Sequence, residues 1–348
     1  MLGGNMENVA NNSQPVKSGR RVVVKPDSRV EIQDFPVRQP GRGEVVVKTV
    51  STLISAGTEL GSQELSRTHD LSLGYSNAGR IVALGEGVEG FQIGDAVLSL
   101  GNHASYVTVS AAPPSLAKIP AGVSFDEASF GVLGSVSIHG VRKAKIELGE
   151  FVAISGMGLV GQLALQLASF TGGEALIAID LSDMRLQVAK DCGATHILNP
   201  VGACLCASPY LKAEVNKITK GRGLDVIIEA SGYPQALLSA FDLARIGGRI
   251  MALGSIWHRK VEVDFMPFHE KELTLVGCHQ PKCPTAETIY FPWTQQYNRN
   301  QILRMISDGR LNVRRLISHK LSYTEAGEAY RLLRDEKEKA LGVVLSWE

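Results

Sequence analysis

Between Arg21 and Pro120 the apolar residues come in short β-branched runs. "RVVVKP", "RVEIQDF", "EVVVKTVSTLI", "GRIVALG", "DAVLSL" and "SYVTVSA" are each cut off by Gly, Pro or Asp. Runs of this kind predict strands, and their close spacing predicts a folded-up β domain of barrel or sandwich type. "SFDEASFGVLGSVSIHGVRKA" then predicts a helix, with Ser124 as N-cap and Glu127 completing a capping box. From about Leu148 the rhythm changes. "EFVAISG", "EALIAID", "THILN", "LDVIIEAS", "RIMALGS" and "LTLVGCH" read as strands. Helical stretches "GLVGQLALQLASF", "DMRLQVAKDCG", "PYLKAEVNKITKG" and "PQALLSAFDLARIGG" fall between them. Continuous apolar strands alternating with helices predict a parallel sheet covered on both faces. Beyond Pro292 come a helix "RNQILRMISDG", a strand "LISHKLS", a helix "TEAGEAYRLLRDEK" and a strand "ALGVVLSW". These are too few to form a separate sheet, so the segment is expected to rejoin the N-terminal β domain. The predicted division is a disordered tail over 1–19, a β-rich domain over 20–147 and 292–348, and an α/β domain over 148–291.

Composition narrows the classes without naming one. A chain of 348 residues is too long for a single simple core. Hydrophobic residues make up 44%, charged residues 20%, and the formal net charge is +1. No basic block is present, so neither a nucleic acid nor an anionic membrane surface is an expected partner. The longest apolar stretch, "FVAISGMGLVGQLALQLASF", is interrupted by glycines and polar residues and reads as strand, turn and helix, not as a membrane span. "MLGGNMENVANNSQPVKSG" lacks the apolar core of a signal peptide. The expectation is therefore a cytoplasmic protein, and the acceptor pattern at Asn11 carries no weight. Five cysteines make no disulfide framework. The pairs Cys204/Cys206 and Cys278/Cys283 lack the spacing of a structural zinc knuckle, so free thiols are expected.

The strongest chemical signal is "SGMGLVG", in which Gly156, Gly158 and Gly161 form G-x-G-x-x-G. The pattern alone is weak. Here it follows an apolar strand, opens a helix, and is followed nineteen residues after Gly161 by Asp180 at the end of the next strand. The glycines permit the tight turn, the approach of backbone to a pyrophosphate and close helix–strand packing. The helix start at Leu159 and Val160 favours phosphate charge. A carboxylate at Asp180 suits an unmodified ribose and repels a 2′-phosphate, so NAD is the expected cofactor. Arg185, on the following helix, is the nearest basic side chain and joins the candidate set. Ligands of such sheets lie beyond the carboxyl ends of the strands. That nominates Ala230, Ser231 and Gly232 after one strand and Leu253, Gly254 and Ser255 after the next. An ordinary loop is the competing reading for each.

These features together resemble the medium-chain dehydrogenase/reductase superfamily, which includes zinc alcohol, sorbitol and threonine dehydrogenases. The resemblance rests on "PGRGEVVVKTVSTLISAGTEL", "GRIVALGEGVEGFQIGDAVLSLG", the glycine turn and "YTEAGEAYRLLRDEKEKALGVVL". It implies a Rossmann domain inserted into a GroES-like catalytic domain, and a homodimer or homotetramer. The zinc enzymes carry C-G-[ST]-D and, further on, G-H-E. This chain has "AGTE" at Ala56–Glu59 and "GYS" at Gly74–Ser76. Methyl stands for thiolate, phenol for imidazole and hydroxyl for carboxylate, and the four-cysteine lobe is missing. No metal site is expected. "SAGTE" and "LGYSNAG" also resemble a zinc-less branch that includes bacteriochlorophyllide-type and sugar- or cyclitol-linked dehydrogenases.

Without zinc another group must polarise the reacting oxygen. Tyr75 stands at the imidazole position and could donate a hydrogen bond or shuttle a proton, especially with a lowered pKa; a wall tyrosine is the alternative. The resemblance makes Thr58 the hydroxyl that passes the proton onward and Glu59 the acid beside it, against ordinary structural roles. His103, in the loop "GNHASY", is a candidate proton acceptor or a surface histidine. His139 reads as a packed helix residue or a site wall, and Trp257, His258, His279 and Gln280 follow sheet strands and could face substrate. The expected activity is zinc-independent, NAD-dependent interconversion of a secondary alcohol and a ketone on a sugar, polyol or cyclitol. The alternatives are an NAD(P)H-dependent reductase of an activated double bond and a non-catalytic nucleotide-binding protein.

Overall fold

The computed structural model describes residues 16–65, 68–200, 209–254 and 260–348. In the N-terminal part the strands are Ser18–Val24 (β1), Val30–Pro36 (β2), Glu44–Leu53 (β3), Leu71–Ser72 (β4), Asn77–Leu84 (β5), Ala96–Ser99 (β6), Tyr106–Ser110 (β7) and Leu116–Lys118 (β8). The middle part contributes Phe151–Ser155 (β9), Ala175–Ile179 (β10), His196–Leu198 (β11), Leu224–Glu229 (β12), Ala244–Ala252 (β13) and Thr274–Gly277 (β14). Ile317–Ser322 (β15) and Gly342–Ser346 (β16) follow. The helices are Ala56–Leu65 (α1), Phe125–Ala128 (α2), Gly131–Ala144 (α3), Leu159–Ala168 (α4), Asp183–Asp191 (α5), Pro209–Ile218 (α6), Pro234–Leu243 (α7), Met266–Glu270 (α8), Gln295–Ser307 (α9) and Ala326–Asp335 (α10).

β9–β14 form one six-stranded sheet, parallel throughout, in the order β11-β10-β9-β12-β13-β14. Alternate residues of its strands feed two cores. Val152, Ile154, Val226, Ile228 and Met251 pack with α3 and α4 on one face. Ala153, Ile177, Ile227 and Ile250 pack with α6 and α7 on the other. Both faces are therefore apolar, which explains the unbroken apolar runs. The strand order reverses between β9 and β12, so a crevice opens where the carboxyl ends of these two strands diverge.

The β-rich part holds a seven-stranded sheet, β15-β16-β3-β5-β6-β8 with β7 also paired to β3, and a smaller sheet β2-β1-β4. β16 pairs antiparallel with β3, so residues from beyond the six-stranded sheet complete a sheet begun before it. Trp347 anchors this return: its Nε1 donates to Thr52 Oγ1 at 3.0 Å, and its ring stacks on Tyr323.

Several elements differ from their prediction. β1 begins at Ser18, inside the segment expected to be tail; residues 1–15 lie outside the described part of the chain. The capping box at Ser124 and Glu127 is present, but the predicted single helix is two. Ser76 Oγ donates to the Ser129 carbonyl, which a continuous helix would need, and Ser129 Oγ turns back to the Asp126 carbonyl at 2.6 Å. α7 ends at Leu243, where "ARIGG" leaves as the start of β13 with Gly247 at φ +71°. α9 starts earlier than predicted, because Thr294 Oγ1 accepts from Tyr297 N and caps it.

Candidate active site

The chain leaves β3 at Leu53, and Ser55 lies immediately before α1. The Glu59 carboxylate reaches back one turn and accepts from Ser55 N at 2.7 Å. This fixes the start of α1 and leaves the Ser55 hydroxyl free to turn toward Tyr75, whose OH donates to Ser55 Oγ and lies 3.3 Å from Thr58 Oγ1. Three hydroxyls, from the residue before α1, the first turn of α1 and the loop before β5, thus meet at one point. Tyr75 packs against the apolar cluster that includes Met157 and Leu159 of the glycine turn, which joins this point to the nucleotide-type sheet.

Burial raises the Tyr75 pKa; the Ser55 and Thr58 contacts oppose the shift without cancelling it. The phenol is therefore a neutral donor at physiological pH. The lowered pKa envisaged for a tyrosine shuttle is not found, because burial dominates, no cation among the described residues opposes it, and the nearby Glu59 charge adds to the rise.

Glu59 and His103 are brought together, but behind the hydroxyl cluster. Glu59 Oε2 lies 3.0 Å from His103 Nε2 and also accepts from the Tyr330 hydroxyl of α10. Glu59 is 2% exposed, and His103 and Tyr330 are fully buried. Burial alone would raise the Glu59 pKa; the His103 ring, the Tyr330 hydroxyl and the Ser55 N–H outweigh it and hold the carboxyl below its ordinary value. Tyr330 is pushed well above its ordinary value by burial and by Glu59. His103 is neither a surface residue nor open to substrate. It packs on Gly74, which has φ +92° and no room for a side chain: a Cβ there would stand 2.7 Å from the His103 ring.

The residues at the metal positions of the resembling enzymes do not fit a zinc ion. Ala56 packs its methyl against an apolar cluster that includes Tyr330 and Trp347. Tyr75 offers a neutral phenol, and among the described residues no three His, Cys, Asp or Glu side chains come together to hold a metal. Cys192, Cys278 and Cys283 are free thiols, and Cys204 and Cys206 fall outside the described residues.

The glycine turn has the shape its sequence predicts. Gly156 adopts φ +90°, and a Cβ there would lie 2.5 Å from the Ser231 backbone. A Cβ at Gly161 would meet the Gly156 carbonyl at 1.9 Å, and one at Gly254 the Gly232 nitrogen at 2.4 Å. The turn, the Ala230–Gly232 loop and the Leu253–Gly254 loop therefore converge. Gly158 caps α4 with no side chain, leaving the first amides of Leu159, Val160 and Gly161 directed into this space. Asp180 Oδ2 accepts from Met157 N at 2.6 Å and Oδ1 from Ser182 N at 2.9 Å, so the carboxylate braces the turn while keeping lone pairs for a hydroxyl donor. These residues fit a dinucleotide. Arg185 does not turn toward them: its guanidinium donates to the Lys337 and Ala340 carbonyls. Ser255, Trp257 and His258 fall outside the described residues.

Three residues escaped the sequence reading. Ser55 and Tyr330 carry no local signal, since each matters only through a partner far along the chain. Glu229, an acid closing the apolar run "VIIE", was visible. It is fully buried, with Oε1 held by Ser231 and Oε2 unpartnered; burial raises its pKa. His139 is buried and lines, with Lys143 and His279, a cavity of about 410 Å³; burial, then Lys143, Arg142 and His279, lower its pKa to about 4. Gln280 is buried just beyond β14.

Residues 160–293 match the model of the zinc-binding dehydrogenase family. The chain is 26% identical over 337 residues to a sorbitol dehydrogenase of Halalkalibacterium halodurans, covering 87% of this chain and 92% of that one. It is 29% identical over 273 residues to the D-guloside 3-dehydrogenase of Escherichia coli, covering 76% and 74%. Its fold is that of the galactitol-1-phosphate dehydrogenase of Escherichia coli, with a TM-score of 0.79, 22% identity, and coverage of 94% and 99%.

Proposed function

We propose that the chain, similar to the zinc-binding dehydrogenase family and to polyol and sugar dehydrogenases, is an oxidoreductase of the alcohol dehydrogenase kind that interconverts a secondary alcohol and a ketone on a polyol or sugar with NAD and without zinc. The observation carrying this reading is that Tyr75, which stands where the resembling zinc enzymes have a ligand imidazole, meets the hydroxyls of Ser55 and Thr58. The relatives named for sorbitol and for a D-guloside support a hydroxyl-rich substrate.

The bound nicotinamide supplies or accepts the hydride. Tyr75, kept neutral by burial, donates a hydrogen bond to the substrate oxygen and stabilises the charge that grows there during reduction. When its proton passes to that oxygen, the Ser55 and Thr58 hydroxyls, which accept from Tyr75 in the resting site, turn to donate to the phenolate, and a proton from solvent restores the phenol before the next turnover. Glu59 acts through Ser55: it holds the Ser55 amide and so the direction of its hydroxyl. Asp180 and the amides opening α4 bind ribose and phosphate, and Asp180 disfavours a 2′-phosphate by charge.

The test is Tyr75→Phe assayed by nicotinamide absorbance on sorbitol, galactitol and the matching ketoses. Loss of one general acid should lower kcat by about 10²-fold or more with little change in KM. Unchanged turnover would remove Tyr75 from the chemistry, and stoichiometric zinc required for activity would overturn the metal-free reading.

A further inference from the structure

We infer that Glu229 is a positioning residue for the nicotinamide half of the cofactor and acts through the Ser231–Gly232 loop; the inference rests on the dinucleotide reading above. Glu229 is the last residue of β12 and is wholly buried. Its Oε1 accepts from Ser231 N at 2.7 Å and from the Ser231 hydroxyl, while Oε2 is unpartnered. The Gly232 amide adds a smaller attraction. The polar grip of this side chain therefore falls on one loop. Its backbone carbonyl accepts from Leu253 N and Gly254 N, each at 2.8 Å. One residue thus gathers both loops that leave the sheet at β12 and β13.

The loop it holds is pressed against the glycine turn. Ala230 N donates at 2.8 Å to the carbonyl of Ser155, the last residue of β9. Ser231 Cα and N lie 2.5 Å from where a Cβ on Gly156 would stand. Sheet order fixes which half of a dinucleotide this loop meets. Asp180 follows β10 on one side of β9, and Ser231 follows β12 on the other. The dinucleotide reading puts the phosphates on the turn between them and the adenosine ribose at Asp180. The half left for the β12 side is the one that carries nicotinamide. Glu229, enclosed beneath the loop, touches no ligand itself. It holds the loop's backbone in the one place from which the reactive ring can be aligned.

The experiment is calorimetric titration of the full chain and its variants with NADH and, separately, with ADP, which carries the adenosine half and the pyrophosphate but no nicotinamide. Glu229→Leu removes the acceptor and should weaken NADH by about 10-fold or more while leaving ADP within about 2-fold of the parent. Glu229→Gln keeps an acceptor for Ser231 and should hold NADH within about 3-fold of the parent. Ser231→Ala should weaken NADH by itself, and adding it to Glu229→Leu should bring no further loss, since both changes break one contact. Equal losses of NADH and ADP in Glu229→Leu would overturn the inference, because the side chain would then be serving the fold. So would parental NADH binding in Glu229→Leu, or losses that multiply in the double variant. Should Glu229→Leu fail to fold, Glu229→Asp, which draws the carboxyl back by one methylene, takes its place: a loss confined to NADH supports the inference, and unchanged NADH binding overturns it. A parent chain that binds no NADH would overturn the cofactor reading itself, and this inference with it.

Discussion

Glu59 gathers more of the site than any other side chain, since Ser55, His103 and Tyr330 all converge on its carboxylate. Its lowered pKa makes it a source of stability that is present above the ordinary carboxylate range and lost as pH falls through the folded value. Tyr330 acts at the other end: its raised pKa contributes below the ordinary phenol range and is lost only as pH rises beyond it. Urea unfolding of Glu59→Gln should show a loss of about 3–5 kcal/mol at neutral pH, the cost of leaving a buried partner behind, and a flatter acid limb below about pH 4.5. An unaltered acid limb would mean that other carboxylates set it. Asp180→Asn should weaken NADH binding and narrow the gap to NADPH by about 1–2 kcal/mol, read from Kd values for the two cofactors. At this scale the sequence was legible where one residue type has one use. The glycines of the turn announced themselves, whereas Tyr75 and Thr58 were nominated through the resemblance, each beside an ordinary structural reading. His103 did not announce itself, because a histidine in a loop looks the same whether it faces water or a buried glutamate.

Elements were readable wherever one periodicity held for a whole segment. β9, β10 and β12 are buried along nearly their full length, so their continuous apolar runs could only belong to a sheet covered on both sides. The misread boundaries were set by contacts from elsewhere. The α2–α3 break depends on Ser76, fifty-three residues before the carbonyl it takes, and no window on the helix itself contains that information. The turn before β5 carries an exacting requirement, because Gly74 combines a positive φ with the His103 ring pressed against it. Gly74→Ala should destabilise by about 2–3 kcal/mol in thermal or urea unfolding, combining backbone strain with displacement of the ring. Because Tyr75 is the next residue, kcat should fall as well. A loss of stability with kcat intact would separate the turn from the hydroxyl cluster.

Across the whole molecule, a contiguous sheet and an interrupted one are held by different logic. The six-stranded sheet closes with residues 151–277, whereas the seven-stranded sheet needs β15 and β16 on one side and β3 to β8 on the other. Alternating strands and helices made the first legible. The return of the second was argued from having too few strands left over and from the resemblance, and its register against β3 could not be read at all. Pairing across so long a separation leaves no trace in either partner's local pattern. Tyr330 and Trp347 tie this return to the active-site half, to Glu59 and Thr52 respectively. There is a consequence for a chain emerging from a ribosome. The parallel sheet can assemble as soon as it is made, while the Ser51–Leu53 edge of β3 waits with its backbone uncovered until Val344–Ser346 arrive. An open strand edge is a template for intermolecular pairing. Premature termination before β16 should therefore yield chains with an intact nucleotide-type sheet that aggregate through the unfinished half, and those chains are the ones a holding chaperone would have to recognise.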